Sequence, residues 1–195
     1  MLLNQKIKEY KIVLASKSPR RQMLLREMGF DFVVEIPQEV EENYPSTLMP
    51  REVPLFLAEL KANAFGSIDN KTILVTADTI VHINGQILGK PIDKEDAFKM
   101  ISLLSGNVHE VFTGVCIRKK DKIHSFLVES SVFFRKLKEE EIYYYIDTYK
   151  PFDKAGAYGA QEWLGYVGIE RIEGSYFNVM GLPVQKLYEE LEIFV

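Results

Sequence analysis

The segment LASKSPRR, residues 14–21, puts two arginines where an anion could be held. Residues 12–15 form a short apolar run that reads as a buried strand. Ser18 before Pro19 reads as an N-cap followed by proline at the first helical position. Arg20 and Arg21 then lie in the first helical turn, where a cation opposes the helix dipole by roughly 0.3–1 kcal/mol. A bound anion would reverse that penalty, meeting free backbone N–H groups, the Ser16 and Ser18 hydroxyls and two guanidinium forks. A solvated arginine pair beside an ordinary cap accounts equally for the same residues. In VTADTIV, residues 75–81, Asp78 interrupts an apolar strand. A carboxylate there must be paired, hydrogen-bonded, metal-bound or protonated. It is either a cap at a strand end, or a metal ligand or general base. In GKPID, Lys90 precedes a proline that extends the backbone and projects the side chain from a loop of defined shape, although a loop lysine is usually solvated. Lys61 sits beside the apolar stripe of a helix, where snorkelling is the ordinary explanation. Glu41 and Glu42 belong to an acidic stretch that could simply face water. DKAGAYGAQ, residues 153–161, brings backbone close to a ligand or to a packed strand, and the Gln161 amide could read a base edge. Together, cations for phosphates and carboxylates for a divalent metal are the equipment of phosphoryl chemistry.

Other chemistries are absent from the pattern. There is no GxxxxGK[ST] loop, no GxGxxG after a strand and no HExxH. His82, His109 and His124 lack ligand spacing and read as structural or surface residues. Cys116 lies in an apolar strand and reads as a small hydrophobe. The single cysteine excludes an internal disulfide and fits a reducing cytoplasm. With 24 Lys and Arg against 28 Asp and Glu, the net charge is −4, which does not suit a general nucleic-acid binder. MLLNQKIKEY lacks an apolar h-region and no apolar run reaches membrane-spanning length, so neither a secretory leader nor a membrane partner is expected. The Asn70-Lys71-Thr72 sequon therefore reads as incidental.

These residues must be positioned by alternating strands and helices. After the first strand, Leu24, Leu25 and Met28 line a helix that Gly29 stops, and residues 32–34 read as a second strand. Val53, Leu57, Leu60 and Ala64 have helical spacing over residues 50–65. Residues 73–83 are β-branched, and Asn84-Gly85 is a hairpin turn. Asp93 caps a helix with the face Ala97, Met100, Ile101 and Leu104, ended by Gly106. Residues 108–118 and 122–135 read as long strands joined at Lys119-Lys120-Asp121. Residues 139–146 read as helix, 156–180 as irregular or strand, and Val184, Leu187, Tyr188 and Leu191 mark a closing helix. The pattern predicts one domain over residues 1–195, an α/β protein with a mixed twisted sheet flanked by helices.

LASKSPRRQMLLREMG, ADTIVHINGQILGKPID, LSGNVHEVFTGV, DKAGAYGAQ and ERIEGSYFNVMGLP, in this order and spacing from about residue 10 to 190, together resemble the Maf family, also called septum formation inhibitor proteins. The resemblance implies a fold like that of the inosine-triphosphate pyrophosphatases, two lobes around a cleft, and often a homodimer. It implies a nucleoside triphosphate pyrophosphatase that cleaves between the α- and β-phosphates with Mg²⁺ or Mn²⁺. It makes Asp78 the proton acceptor, Glu42 and Asp78 the metal ligands, and Ser16, Arg20, Arg21, Lys61 and Lys90 the phosphate site. Glu41 is a substitute for Glu42 where the alignment takes a one-residue gap. Arg20, Thr79 and Gln161 follow the dTTP/UTP branch. Lys17, where small residues are common, and Glu162-Trp163, in place of Gly-Leu, depart from the pattern. Two other readings remain: a nucleotide sensor that regulates cell division with little turnover, and a house-cleaning pyrophosphatase for modified purine nucleotides.

Overall fold

The computed structural model describes residues 1–37, 40–120 and 122–195. Asp121, at the end of the expected 119–121 turn, lies outside the described residues. The strands are β1 (Lys11–Leu14), β2 (Phe32–Val34), β3 (Thr72–Ile83), β4 (Gln86–Leu88), β5 (Val108–Lys119), β6 (Lys122–Phe134) and β7 (Ile169–Glu173). They form a seven-stranded sheet in the order β2-β1-β3-β5-β6-β7, with β4 alongside β3. The sheet is mixed, as its sequence predicts. β1 runs parallel to β2 and β3, pairing Leu14 with Val34 and with Val75, while β4 on β3 and β7 on β6 are antiparallel. The helices are α1 (Leu3–Lys6), α2 (Pro19–Glu27), α3 (Val53–Ala64), α4 (Lys94–Leu104), α5 (Glu139–Tyr149), α6 (Trp163–Gly168), α7 (Tyr176–Met180) and α8 (Val184–Leu191).

Local chemistry sets the boundaries. Ser18 caps α2 and accepts from Arg21 N, with Pro19 at the first helical position. Asp93 caps α4 and accepts from Asp96 N at 2.8 Å. Asn84 and Gly85 both have positive φ, 50° and 80°, as a tight hairpin turn requires.

The chain divides into two compact units. One holds residues 1–78, 113–128 and 181–195, and the other holds 79–112 and 129–180. In the first, Val13, Ala15, Leu74 and Cys116 of the sheet pack with Ala58 and Ala62 of α3. The fit is close because Gly114 has no side chain: a Cβ there would overlap the Pro54 carbonyl and the Leu55 nitrogen. Thr76 Oγ1 adds a bond of 2.6 Å to Ala58 O, fastening α3 to β3. The buried face of α3 is Val53, Pro54, Leu57, Ala58 and Ala62, so Ala64 is not part of it and is exposed. Only small side chains suit a helix lying this close to a strand, which is why the alanines at 58 and 62 take that face. Met28, expected on the inner face of α2, is half-buried, whereas Leu24 and Leu25 are fully inside. Cys116 is buried as expected, and burial pushes its thiol pKa up.

In the second unit, α4 and α5 pack through Ala97, Ile101, Leu104, Ile142, Tyr145 and Ile146 against Val81, Ile83, Val111, Val132 and Phe134. The 156–180 segment contains α6, β7 and α7, where the sequence predicts irregular or strand structure. These helices have six and five residues, too short for a 3.6-residue period to emerge from a Gly- and aromatic-rich stretch. His109 is fully buried, with Nε2 2.7 Å from the Tyr158 hydroxyl and its ring edge-on to Phe134 and Tyr158.

Burial lowers the His109 pKa from 6.5 to about 3, so the folded state holds the neutral imidazole. This contribution to stability is complete above the unfolded value and is lost as the pH falls towards the folded one. Urea unfolding between pH 6.5 and 5, above the carboxylate range, should show stability falling by up to about 1.4 kcal/mol per pH unit from this one group. His109→Leu should flatten that slope; equal slopes in the two proteins would remove His109 as its cause.

Candidate active site

Asp78 is the last residue of the first unit, on β3 between buried Ala77 and Ile80, and only 9% of its surface is exposed. A lone carboxylate in that setting is costly, so a partner is required. Lys61 supplies it from the last turn of α3, with Nζ 2.6 Å from Asp78 Oδ1. The same ammonium lies 3.1 Å from Glu42 Oε1. One cation thus gathers two carboxylates. Lys61 is therefore not a snorkelling side chain: its head points to Asp78, and the side chain is 16% exposed, against 56% for Glu42. Glu41 is turned elsewhere and accepts from Asn43 Nδ2 at 3.0 Å, so Glu42 is the member of the acidic pair that reaches Lys61.

The turn after β1 comes to the same place. Ser16 is buried, and its hydroxyl accepts from Ser18 N at 3.3 Å and from Arg21 Nη1 at 3.5 Å. Arg21 also donates from Nη1 to Ala77 O and from Nε to Gly181 O, each at 2.8 Å. The guanidinium expected to face an anion therefore spends donors on the carbonyl just before Asp78. Burial lowers the Arg21 pKa; the Asp78 carboxylate opposes this, and neighbouring Arg20 adds to it. Ser16, Arg20, Arg21, Glu42, Lys61 and Asp78, separated by up to 62 positions in the chain, are neighbours in the fold.

Thr79, Lys90 and Gln161 belong to the second unit. Thr79 is half-buried on β3, directly after Asp78, and Lys90 is exposed. The Lys90 loop meets the 153–161 loop where Gly156 N donates to Gly89 O at 3.0 Å, and Gly156 packs on Val81 of β3. Gln161 is half-buried, and its Oε1 is a buried acceptor with no hydrogen-bond partner among the described residues. An amide oxygen in that state is suited to a ligand donor. Sequence reasoning did not single out Lys154 or Tyr145, and noted Glu162 only as a departure. Lys154 is buried and paired to Asp153 at 2.7 Å and to Glu162 at 3.0 Å. The available signal was a lysine in a run of small residues, where a long charged side chain has little room to reach solvent.

Residues 11–194 match the model of a family described as Maf-like protein. The chain belongs to the Maf family. Among curated relatives, it is 52% identical over 191 residues to a protein of Parabacteroides distasonis, covering 97% of this chain and 99% of that one. It is 52% identical over 193 residues to a protein of Bacteroides fragilis, covering 98% and 99%. It is 49% identical over 195 residues to a protein of Flavobacterium johnsoniae, covering the whole of both. Each of the three is named dTTP/UTP pyrophosphatase. Among solved structures, the Staphylococcus aureus Ham1 protein is similar with a TM-score of 0.50 at 16% identity, over 93% of this chain and 98% of that one, a likeness of fold. In this Maf protein no helix among the described residues is long and apolar enough to cross a membrane.

The Lys61 contact yields a test that needs no substrate. Lys61→Met leaves a buried carboxylate without its ammonium and should cost about 1–3 kcal/mol in urea unfolding at pH 7. Asp78→Asn in the same chain should recover part of that loss. Additive effects of the two changes would show that the contact does not couple them.

Proposed function

We propose that this Maf protein hydrolyses dTTP and UTP to the nucleoside monophosphate and pyrophosphate. The observation that carries the reading is full-length identity of about half to relatives of that name, in a chain whose Lys61 gathers Asp78 and Glu42 beside the Ser16–Arg21 turn. Water must attack the α-phosphorus in line while charge grows on the leaving pyrophosphate, so protein help is chiefly positioning and neutralisation. Asp78 takes the proton from that water. Lys61 fixes the carboxylate, and Arg21 fixes the backbone before it through Ala77 O. Arg20, Arg21, Lys61 and Lys90, with the Ser16 hydroxyl, offset the triphosphate charge.

Among the described residues no group of three or more His, Cys, Asp or Glu could hold a metal ion. Glu42 and Asp78, the two carboxylates gathered at Lys61, would hold Mg²⁺ or Mn²⁺, hard cations that take oxygen ligands and need only one or two carboxylates from the protein. When bound, such an ion supplies charge neutralisation at the phosphates. Thr79 and Gln161 pair with the pyrimidine edge, with Arg20 completing the specificity set. A base pocket that hydrogen-bonds its substrate rejects analogues that leave its groups unpaired. This reading sets the enzyme in the cytoplasm as a homodimer acting on free nucleotides, with neither a nucleic-acid polymer nor a membrane as partner.

Pyrophosphate release with Mg²⁺ across canonical and modified nucleoside triphosphates tests the reading. Turnover of dTTP and UTP should exceed that of purine nucleotides, and Asp78→Asn should lower kcat by about 10²–10⁴-fold with the fold intact. Gln161→Glu should move preference away from UTP. Near-normal kcat in Asp78→Asn would overturn the base assignment, and unchanged substrate ratios in Gln161→Glu would overturn the specificity assignment. Nucleotide binding without turnover would replace the enzyme with a sensor.

A further inference from the structure

We infer that Glu162 is a positioning residue for Gln161, closing the loop around it so that the Gln161 amide is held ready to read the base. The inference rests on the pyrimidine-nucleotide reading above and assigns a role to the residue that departs from the family pattern.

Gln161 occupies a tight turn, because Glu162 N donates to Gly159 O at 3.0 Å. A buried amide oxygen left without a partner is unfavourable by roughly 1–3 kcal/mol, so the free loop would relax unless something outside the turn held it. The Glu162 carboxylate does so from both sides. Its Oε2 accepts from the Tyr145 hydroxyl, and that hydroxyl accepts from Gly159 N at 3.0 Å. Its Oε1 pairs with Lys154 Nζ at 3.0 Å. The carboxylate also lies over Gly159, where a Cβ would come within 2.9 Å of Glu162 Cδ. One side chain thus ties together the start of the loop at Lys154, the start of the turn at Gly159 and the residue just after Gln161.

The anchor is rigid. Tyr145 is completely buried on α5 among Ile142 and Ile146, and burial together with the Glu162 carboxylate pushes its phenol pKa up. The Lys154 side chain is 8% exposed, which places the ion pair where water screens it little. Downstream, Glu162 is the N-cap residue of α6, and Tyr166 N donates to its carbonyl at 3.2 Å. A Cβ at Gly165 would overlap the Ala160 carbonyl, so the first turn of α6 packs directly on the turn that carries Gln161. Glu162 has no role in proton transfer or phosphate binding; it acts through Gln161.

The test uses the purified full chain in steady-state kinetics with dTTP, UTP and dGTP. Glu162→Ala should raise KM for dTTP and UTP about 10-fold, the size of one lost hydrogen bond to the base, and lower the pyrimidine-to-purine ratio. kcat for dTTP should stay within about twofold, since the phosphate and proton groups are untouched. Tyr145→Phe removes only the hydroxyl and should shift KM and the ratio in the same direction. The double variant should be no worse than the stronger single one, because both changes break one network. Glu162→Gln keeps an acceptor for Tyr145 and should fall between the parent and Glu162→Ala. A merely structural role predicts instead lower melting temperatures with unchanged KM and base preference, and that result overturns the inference. Equal loss of kcat on all three nucleotides also overturns it. If Glu162→Ala does not fold, Tyr145→Phe and Glu162→Gln decide by the same criteria. A parent protein inactive on dTTP and UTP would overturn the proposed function and this inference together. An active parent with unchanged variants would overturn this inference alone.

Discussion

A buried carboxylate on a sheet strand has to be answered by charge, and the contact between Asp78 and Lys61 is the answer around which the first unit is arranged. Lys61 can reach Asp78 only if α3 lies close to the sheet. Gly114 gives the helix that close approach, Ala58 and Ala62 present a flat face, and Thr76 fastens the strand to the helix backbone. None of these residues has chemistry of its own, yet together they set where an ammonium meets a carboxylate. A contact of this kind is weak evidence for stability, because desolvation offsets the attraction. Its value lies in geometry: one nitrogen fixes two carboxylates, Asp78 and Glu42, that would otherwise repel each other.

Arg21 extends the same logic to the backbone. Arginine can bind two acceptors in one plane, and here these include the carbonyls of Ala77 and Gly181. The Ser16 turn, the strand before Asp78 and the start of the closing segment are therefore tied together by one side chain. An arginine in the first turn of a helix looks like an anion ligand when only its helix is considered. Its burial and its carbonyl partners give it a different task, holding the backbone next to Asp78.

The sequence revealed most of this fold through patterns whose range is short. β1, β2, the β3–β4 hairpin and the caps Ser18 and Asp93 each declare themselves within a few residues. The gathering of Asp78, Lys61, Glu42 and Arg21 did not follow from any spacing; the family resemblance alone implied that they form one site. Lys61 shows why. Its position in the helix allows either a solvent-directed head or an inward one, and the choice is made by Asp78, which lies on a distant strand. The apolar stripe of α3 shows a related limit: periodicity finds Val53, Leu57, Leu60 and Ala64, but Gly114, far away in the chain, decides which side is pressed to the sheet, and Ala64 is left exposed. The short helices after Gln161 were hidden by length, and the Tyr145–Glu162–Lys154 network by type, since Tyr145 fits the apolar stripe of α5 and gives no hint of its polar contact.

The two groups of polar residues solve opposite problems. A triphosphate needs net positive charge and tolerates small errors of position, because Coulombic attraction falls off slowly with distance. On the proposed reading, Arg20, Arg21 and Lys61, the long cationic side chains around Ser16 and Asp78, meet that need. A base edge carries no net charge and is read by hydrogen bonds, which weaken steeply as geometry departs from ideal. Charge beside such a reader would blur its preference, while rigidity would sharpen it. In the loop that carries Gln161, buried Lys154 pairs with both Asp153 and Glu162, and Glu162 binds the loop to Tyr145 in the core. On the proposed reading, these contacts hold the neutral Gln161 amide still, which is what selecting one base over another requires.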